Sequence, residues 1–259
     1  MQSPACETLT DEIWSRLLTG RADDAPLSSL YGPLLEPPRA PDGCFVLARI
    51  AQSLDGCIAT DNGDSFWISG AADVLHTHRL RALSDAVVVG AGTVRADDPL
   101  LTTRNCPGPS PVRVVIDTDR RLDARHRVFQ GGPQTLLACA DDSSGPAAVG
   151  RASVLRLPRA PTGGVKIAAL LAVLSAHGLR RLFVEGGGIT ISRFLAAGAV
   201  DRLHVTVAPL LLGGGVRAFT LPQAARPGDG LRLAWSLHRL ADDVLFDIRL
   251  DRARPPMCV

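Results

Sequence analysis

The chain reads as an α/β domain of three layers, with helices on both faces of a mostly parallel mixed sheet and an antiparallel hairpin at the C-terminal end. Three observations predict it. Short, continuous apolar runs recur at residues 85–90 (DAVVVG), 112–117 (VRVVID), 135–140 (TLLACA), 153–157 (SVLRL) and 180–185 (RRLFVE), as in strands buried on both faces. Segments of helical spacing alternate with them. Residues 231–240 (LRLAWSLHRL) and 241–250 (ADDVLFDIRL) close the pattern as two adjacent strands.

The first segment, TDEIWSRLLTG, predicts a short helix capped by Thr10, with Asp11 and Glu12 in its first turn and Gly20 as its stop. Prolines 33, 37, 38 and 41 then predict no regular element over residues 31–43. Residues 1–43 therefore read as a helical extension with a Pro-rich arm, and 44–259 as the main domain. That domain opens with a strand, CFVLARIAQS, and a turn, LDG. AADVLHTHRLRALS follows with helical spacing, Leu75, Leu80 and Leu83 among its apolar positions. Further on, KIAALLAVLSAHG is a helix ended by Gly178, GITISRFLAAG is another, and DRLHVTVAPLLLG begins as a strand.

Composition narrows the function. The 28 basic and 26 acidic residues give a net charge of +2 spread along the chain, and aromatics are 4%, so neither a basic footprint nor stacking platforms for nucleic acid are expected. No apolar run nears the about 18 residues of a membrane span, and the N-terminus lacks a secretory pattern, which points to the cytoplasm. Six scattered cysteines form no CxxC pair, and His76 and His78 do not share a helix face, so no metal is expected.

Two glycine turns suggest the ligand. Gly186, Gly187 and Gly188 separate a buried strand from a helix, where bare backbone and a helix N-terminus favour an anion. Gly90 and Gly92 make a second such turn, followed by Thr93 and Asp97; the spacing is GxGxxR, so the dinucleotide fingerprint fails. Two such turns in one sheet suit a ligand with several anionic groups, such as a nucleotide. Glu185 closes an apolar strand directly before the glycines, a place where a charge marks a site. By residue type alone, Asp55 reads as a turn residue, Arg81 and Arg104 as surface charges, and Trp67 as a core or edge anchor.

The blocks SLDGCIAT, GDSFWISG, LRALSDAVVVGAGTVRADDPLLTTR, PVRVVID and LFVEGGGITISRFLAAGAVDRLHVTVAPLLLGGG, in this order, resemble the reductase domain of the bifunctional riboflavin biosynthesis proteins, over about residues 44 to 250. The resemblance implies a dihydrofolate-reductase-like fold and NADPH-dependent reduction of 5-amino-6-(5-phosphoribosylamino)uracil, a phosphorylated pyrimidine, to its ribitylamino counterpart. It places Ala51, Trp67, Thr93, Asp97, Thr118, Gly187, Gly188, Ile189, Thr190, Ile191, Ser192 and Arg193 on the cofactor side. On the substrate side it places Arg49, Ser65, Arg81, Leu101, Arg104 and Glu185, with Glu185 also the catalytic candidate. Arg49 stands where many of the bifunctional proteins carry lysine, which keeps the charge but not a titratable ammonium. No zinc deaminase pattern is present, so a separate deaminase is expected, and the family implies a homodimer. Arg120 and Arg121, just after the VVID strand, suit either a 2′-phosphate or a plain surface role. A pterin reductase on the same scaffold is the alternative, and a non-catalytic nucleotide-binding protein a third reading.

Overall fold

A computed structural model of the chain describes residues 11–20, 28–66, 68–250 and 252. Two helices, α1 (Asp11–Leu18) and α2 (Ser28–Leu35), lead into β1 (Phe45–Ser53) and a short β2 (Cys57–Ala59). The chain continues through α3 (Ala71–Leu83), β3 (Ala86–Gly90), α4 (Ala91–Asp97), β4 (Val112–Ile116), β5 (Thr135–Ala140), β6 (Ala148–Val149) and β7 (Ala152–Leu157). Then come α5 (Ile167–Ala176), β8 (Arg181–Glu185), α6 (Gly188–Ala196), β9 (Arg202–Ala208), β10 (Val216–Arg217), β11 (Ala234–Leu240) and β12 (Asp243–Arg249).

Among the described residues, ten strands form one sheet in the order β11-β12-β9-β1-β8-β3-β4-β5-β7-β6, and β2 pairs with β10 apart from it. From β9 to β7 all neighbours are parallel; β11, β12 and β6 are the antiparallel edges. The predicted hairpin forms as β11 and β12, turning at Ala241 with φ 57°. β3, β4 and β5 are buried on both faces, as their apolar runs require. β7 departs from that expectation. Only two residues of β6 cover its outer edge, and Ser153 and Arg156 are exposed.

The sheet has a core on each side. Val46, Ala48 and Ile50 of β1 pack with Leu170, Leu171 and Leu174 of α5 and with Ile191, Phe194 and Leu195 of α6. Leu47, on the opposite face, joins Leu80 and Leu83 of α3, Phe183 of β8, and Trp14, Leu17, Leu30 and Leu34 of α1 and α2. Period-two alternation along β1 thus feeds both cores.

The prolines do not prevent a helix. α2 contains Pro33, and Leu30, Tyr31 and Leu34 bury their side chains. Proline has no N–H to donate to the carbonyl four residues earlier. That carbonyl, of Ser29, instead accepts from Arg202 Nη2 at 3.2 Å, a partner 173 residues away. The Thr10 cap lies outside the described residues.

Candidate active site

Strand register builds the site. Asp247 of β12 lies opposite His204 of β9, His204 opposite Arg49 of β1, and Arg49 opposite Glu185 at the end of β8. Directly paired residues point to one face, so these four form a polar row across the sheet. Helix α3 lies over that face and contributes Asp73, His76 and Arg81, spaced three and five residues apart.

Arg81 grips Glu185 with two bonds. Its Nε donates to Oε2 at 2.7 Å and its Nη2 to Oε1, while Nη1 donates to the Thr102 carbonyl at 2.9 Å. Burial pushes the Glu185 carboxyl up, but the Arg81 guanidinium outweighs it and holds the group below its ordinary value. Glu185 is therefore an anion at neutral pH. Arg49 pairs with Asp73, which is fully buried and also accepts from Thr206 Oγ1 at 2.7 Å. Burial draws the Arg49 pKa down to about 10, still charged at neutral pH. Its Nε is buried without a partner among the described residues.

At the far end of the row, Arg202 binds Asp247 through Nε at 2.8 Å and through Nη2, and His204 Nε2 lies 3.3 Å from the same carboxylate. His204 Nδ1 meets His76 Nε2 at 3.1 Å, and His76 Nδ1 meets the Tyr31 hydroxyl at 2.8 Å. His78, also on α3, accepts from the Arg104 backbone N–H through Nδ1 at 3.1 Å, which requires the neutral ring.

Burial keeps these histidines uncharged. It lowers His78 to about 4, with Arg81 and Arg104 adding to the effect, lowers His76 well below its ordinary range, and lowers His204 despite Asp247. Between about 6.5 and the depressed values, the unfolded chain binds protons that the folded chain refuses. Stability must therefore fall as pH falls through this window. We expect His78 alone to remove roughly 2 kcal/mol between pH 7 and 5. Urea unfolding at both pH values checks this: His78→Gln, which keeps an acceptor for Arg104, narrows the difference, and equal midpoints for the unaltered chain refute it.

The two glycine turns meet. A Cβ at Gly90 would lie 2.3 Å from Thr190 Oγ1, and one at Gly187 would lie 2.9 Å from Thr93 Oγ1. At Gly188 a Cβ would lie 2.4 Å from the Ala218 carbonyl oxygen. Two glycines of the triplet are thus bare because other parts of the protein press on them, a reason the sequence alone does not reveal. Gly186, with φ 74°, has nothing within 4 Å on its open side, nor does Gly92. Gly186 lies just ahead of α6 and Gly92 in the first turn of α4, where free backbone N–H groups favour an anion.

The other sequence-predicted residues divide by exposure. Ile189 is exposed at the start of α6, and Ser65 Oγ donates to Asp97 Oδ1 at 3.4 Å, joining the expected substrate and cofactor sides. Ala51 lies opposite Thr206, and Thr118 follows β4, its carbonyl accepting from Ala140 N–H at 3.0 Å. Ile191 is fully buried in the core, Ser192 Oγ accepts from the Thr220 N–H at 2.9 Å, and Arg193 covers Gly164. Those three side chains are engaged within the protein. Leu101 is buried, with φ 56°. Trp67 lies outside the described residues. Arg120 donates to the Pro146 carbonyl at 2.6 Å, and Arg121 pairs with Asp119.

Sequence analysis missed three residues. Asp73 anchors Arg49, His78 holds the backbone of Arg104, and Arg127 adds to burial and to Arg81 in lowering the Arg104 pKa. The run of polar residues Asp73, His76, Thr77, His78, Arg79 and Arg81 in α3, most of them buried, was the available signal. Arg81 is already bonded through each of its three nitrogens, to Glu185 and to the Thr102 carbonyl. The guanidinium of Arg104 makes no ion pair among the described residues. Asp55 is more than a turn residue: it accepts from Ser53 Oγ at 2.5 Å and Gly213 N–H at 2.7 Å, tying the SLDG loop to the later glycine loop.

The family model described as RibD C-terminal domain matches residues 44–242. The chain belongs to this family. It is an oxidoreductase. A 2,5-diamino-6-ribosylamino-4(3H)-pyrimidinone 5′-phosphate reductase of Methanothermobacter thermautotrophicus is 36% identical over 173 residues, 66% of this chain and 80% of that protein. The riboflavin biosynthesis protein RibD of Bacillus amyloliquefaciens is 33% identical over 191 residues, covering 73% of this chain and 50% of its own length. Among solved structures, a deaminase/5-amino-6-(5-phosphoribosylamino)uracil reductase from Thermotoga maritima superposes with TM-score 0.67 at 27% identity, over 80% of this chain and 57% of that one. The reductase Rib7 of Saccharomyces cerevisiae shares the fold, with TM-score 0.67 over 83% of this chain and 93% of its own. Among the described residues, no helix is long and apolar enough to cross a membrane, and no cluster of His, Cys, Asp or Glu could hold a metal ion.

Proposed function

We propose that this RibD-type reductase uses NADPH to reduce the ribosylamino group of a 5-aminopyrimidine 5′-phosphate to the ribitylamino group, in riboflavin biosynthesis. The observation that carries the reading is the charged row Glu185–Arg49, held by Arg81 and Asp73, beside two open-faced glycine turns. The bound nicotinamide would supply the hydride to C1′ of the opened sugar. The protein's part is to bind and orient. Glu185 accepts bonds from sugar or ring, and Arg104, exposed and without an ion pair among the described residues, would take the phosphate. Arg49 steadies charge near the reacting carbon. Its guanidinium keeps its proton at neutral pH and does not act as the acid.

The relatives matched over four fifths of their length are named for the 2,5-diaminopyrimidinone phosphate, which supports the 2-amino ring over the uracil. A separate deaminase and a cytoplasmic location belong to the same reading. So does a homodimer, supported by exposed Trp235 and Leu237 on the edge strand β11. The test is cofactor oxidation by the purified protein with the diaminopyrimidinone phosphate, the uracil phosphate or dihydrofolate, each with NADPH and NADH. Turnover of either phosphate with NADPH supports the proposal. Turnover of dihydrofolate alone moves the protein to pterins, and equal use of NADH overturns the cofactor assignment.

A further inference from the structure

Helices α1 and α2 lie ahead of the family match, yet they touch the parts of the fold that carry the substrate-side cations. Trp14 of α1 is buried, and its Nε1–H donates to the Pro107 carbonyl at 2.9 Å. Pro107 lies in the loop that bears Arg104. A few residues earlier, the same loop accepts Arg81 Nη1 at the Thr102 carbonyl and donates the Arg104 N–H to His78. Gly108, with φ 137°, threads between helices: a Cβ there would lie 2.7 Å from Ala82 Cβ on α3 and 3.2 Å from Leu18 Cδ2 at the end of α1. The loop is thus clamped on one limb by α3 and on its tip by α1. Arg79 of α3 lies over the Trp14 ring at 5.5 Å, and Tyr31 of α2 meets that ring edge-on at 6.0 Å while bonding His76. One cluster therefore joins the extension, the Arg104 loop and the helix that carries Asp73 and Arg81.

We propose that the segment ahead of residue 44 is a positioning element for the substrate's phosphate, with Trp14 as its main contact. Trp14 holds the tip of the Arg104 loop, so that the free guanidinium of Arg104 presents to a phosphate at one fixed distance from Glu185. The inference rests on the reading of Arg104 as a phosphate-binding residue.

The experiment compares the phosphorylated substrate with the same compound lacking its 5′-phosphate. KM and kcat are measured for each in the full chain, in Trp14→Phe and in Leu18→Ala. Leu174→Val, in the core on the opposite face, serves as a stability control. Trp14→Phe keeps a ring and removes the N–H. It should raise KM for the phosphorylated compound about fivefold, as for one lost hydrogen bond. KM for the dephosphorylated compound, NADPH affinity and the control's phosphate preference should stay near those of the unaltered protein. Leu18→Ala, which loosens the packing on Gly108, should act in the same direction and stands in if Trp14→Phe fails to fold. A phosphate preference unchanged in both variants overturns the positioning role. An unaltered protein that shows no preference for the phosphorylated compound overturns the phosphate reading beneath it.

Discussion

Glu185→Gln is expected to lower turnover about a hundredfold or more and to leave NADPH affinity near its original value. The carboxylate takes Arg81 Nε on one oxygen and Nη2 on the other, and an amide accepts at only one of those places. The second N–H of the guanidinium would then face an NH2 donor. Arg81 is buried, so its charge would remain with half its partner, at a cost of roughly 3 kcal/mol. Arg49, directly opposite on β1, would lose its neighbouring anion as well. Steady-state kinetics, cofactor titration by fluorescence and urea unfolding separate these effects. A collapse of cofactor affinity with turnover intact would place Glu185 on the cofactor side of the site.

Asp73→Ala should be as damaging by another route. Arg49 is largely but not fully buried, and among the described residues Asp73 is the carboxylate it pairs with. Removing that partner strands a buried cation and should cost about 3–5 kcal/mol. Replacing both groups with apolar ones, Arg49→Met with Asp73→Leu, should restore much of that stability, less the bond that Thr206 Oγ1 makes to Asp73. The double variant should nevertheless stay inactive, because the site has lost its second cation. Urea unfolding of the single and double variants, with turnover measured on each, tests the pair. Activity in the refolded double variant would remove Arg49 from the reaction.

Local chemistry was enough for most of the elements. The apolar runs of β3, β4 and β5 fall where they were expected, as do α5 with its stop at Gly178 and the closing hairpin, because burial on two faces and tight turns leave direct marks in sequence. The glycine turns and the carboxylate at the end of β8 were legible for the same reason. α2 was not: proline forbids the bond that its own helix would make, and the compensating donor, Arg202, arrives from β9.

The same limit applies to the site. Arg81, Arg104 and Arg49 are equivalent as letters, and the family resemblance placed all three on the substrate side. Folding gives Arg81 to Glu185 across 104 residues, gives Arg49 to Asp73, and leaves Arg104 free of ion pairs among the described residues. Periodicity along one strand determines which face a residue takes. Which charge it meets there depends on register with neighbouring strands and on the helix laid above them, and those are set only when distant segments pack.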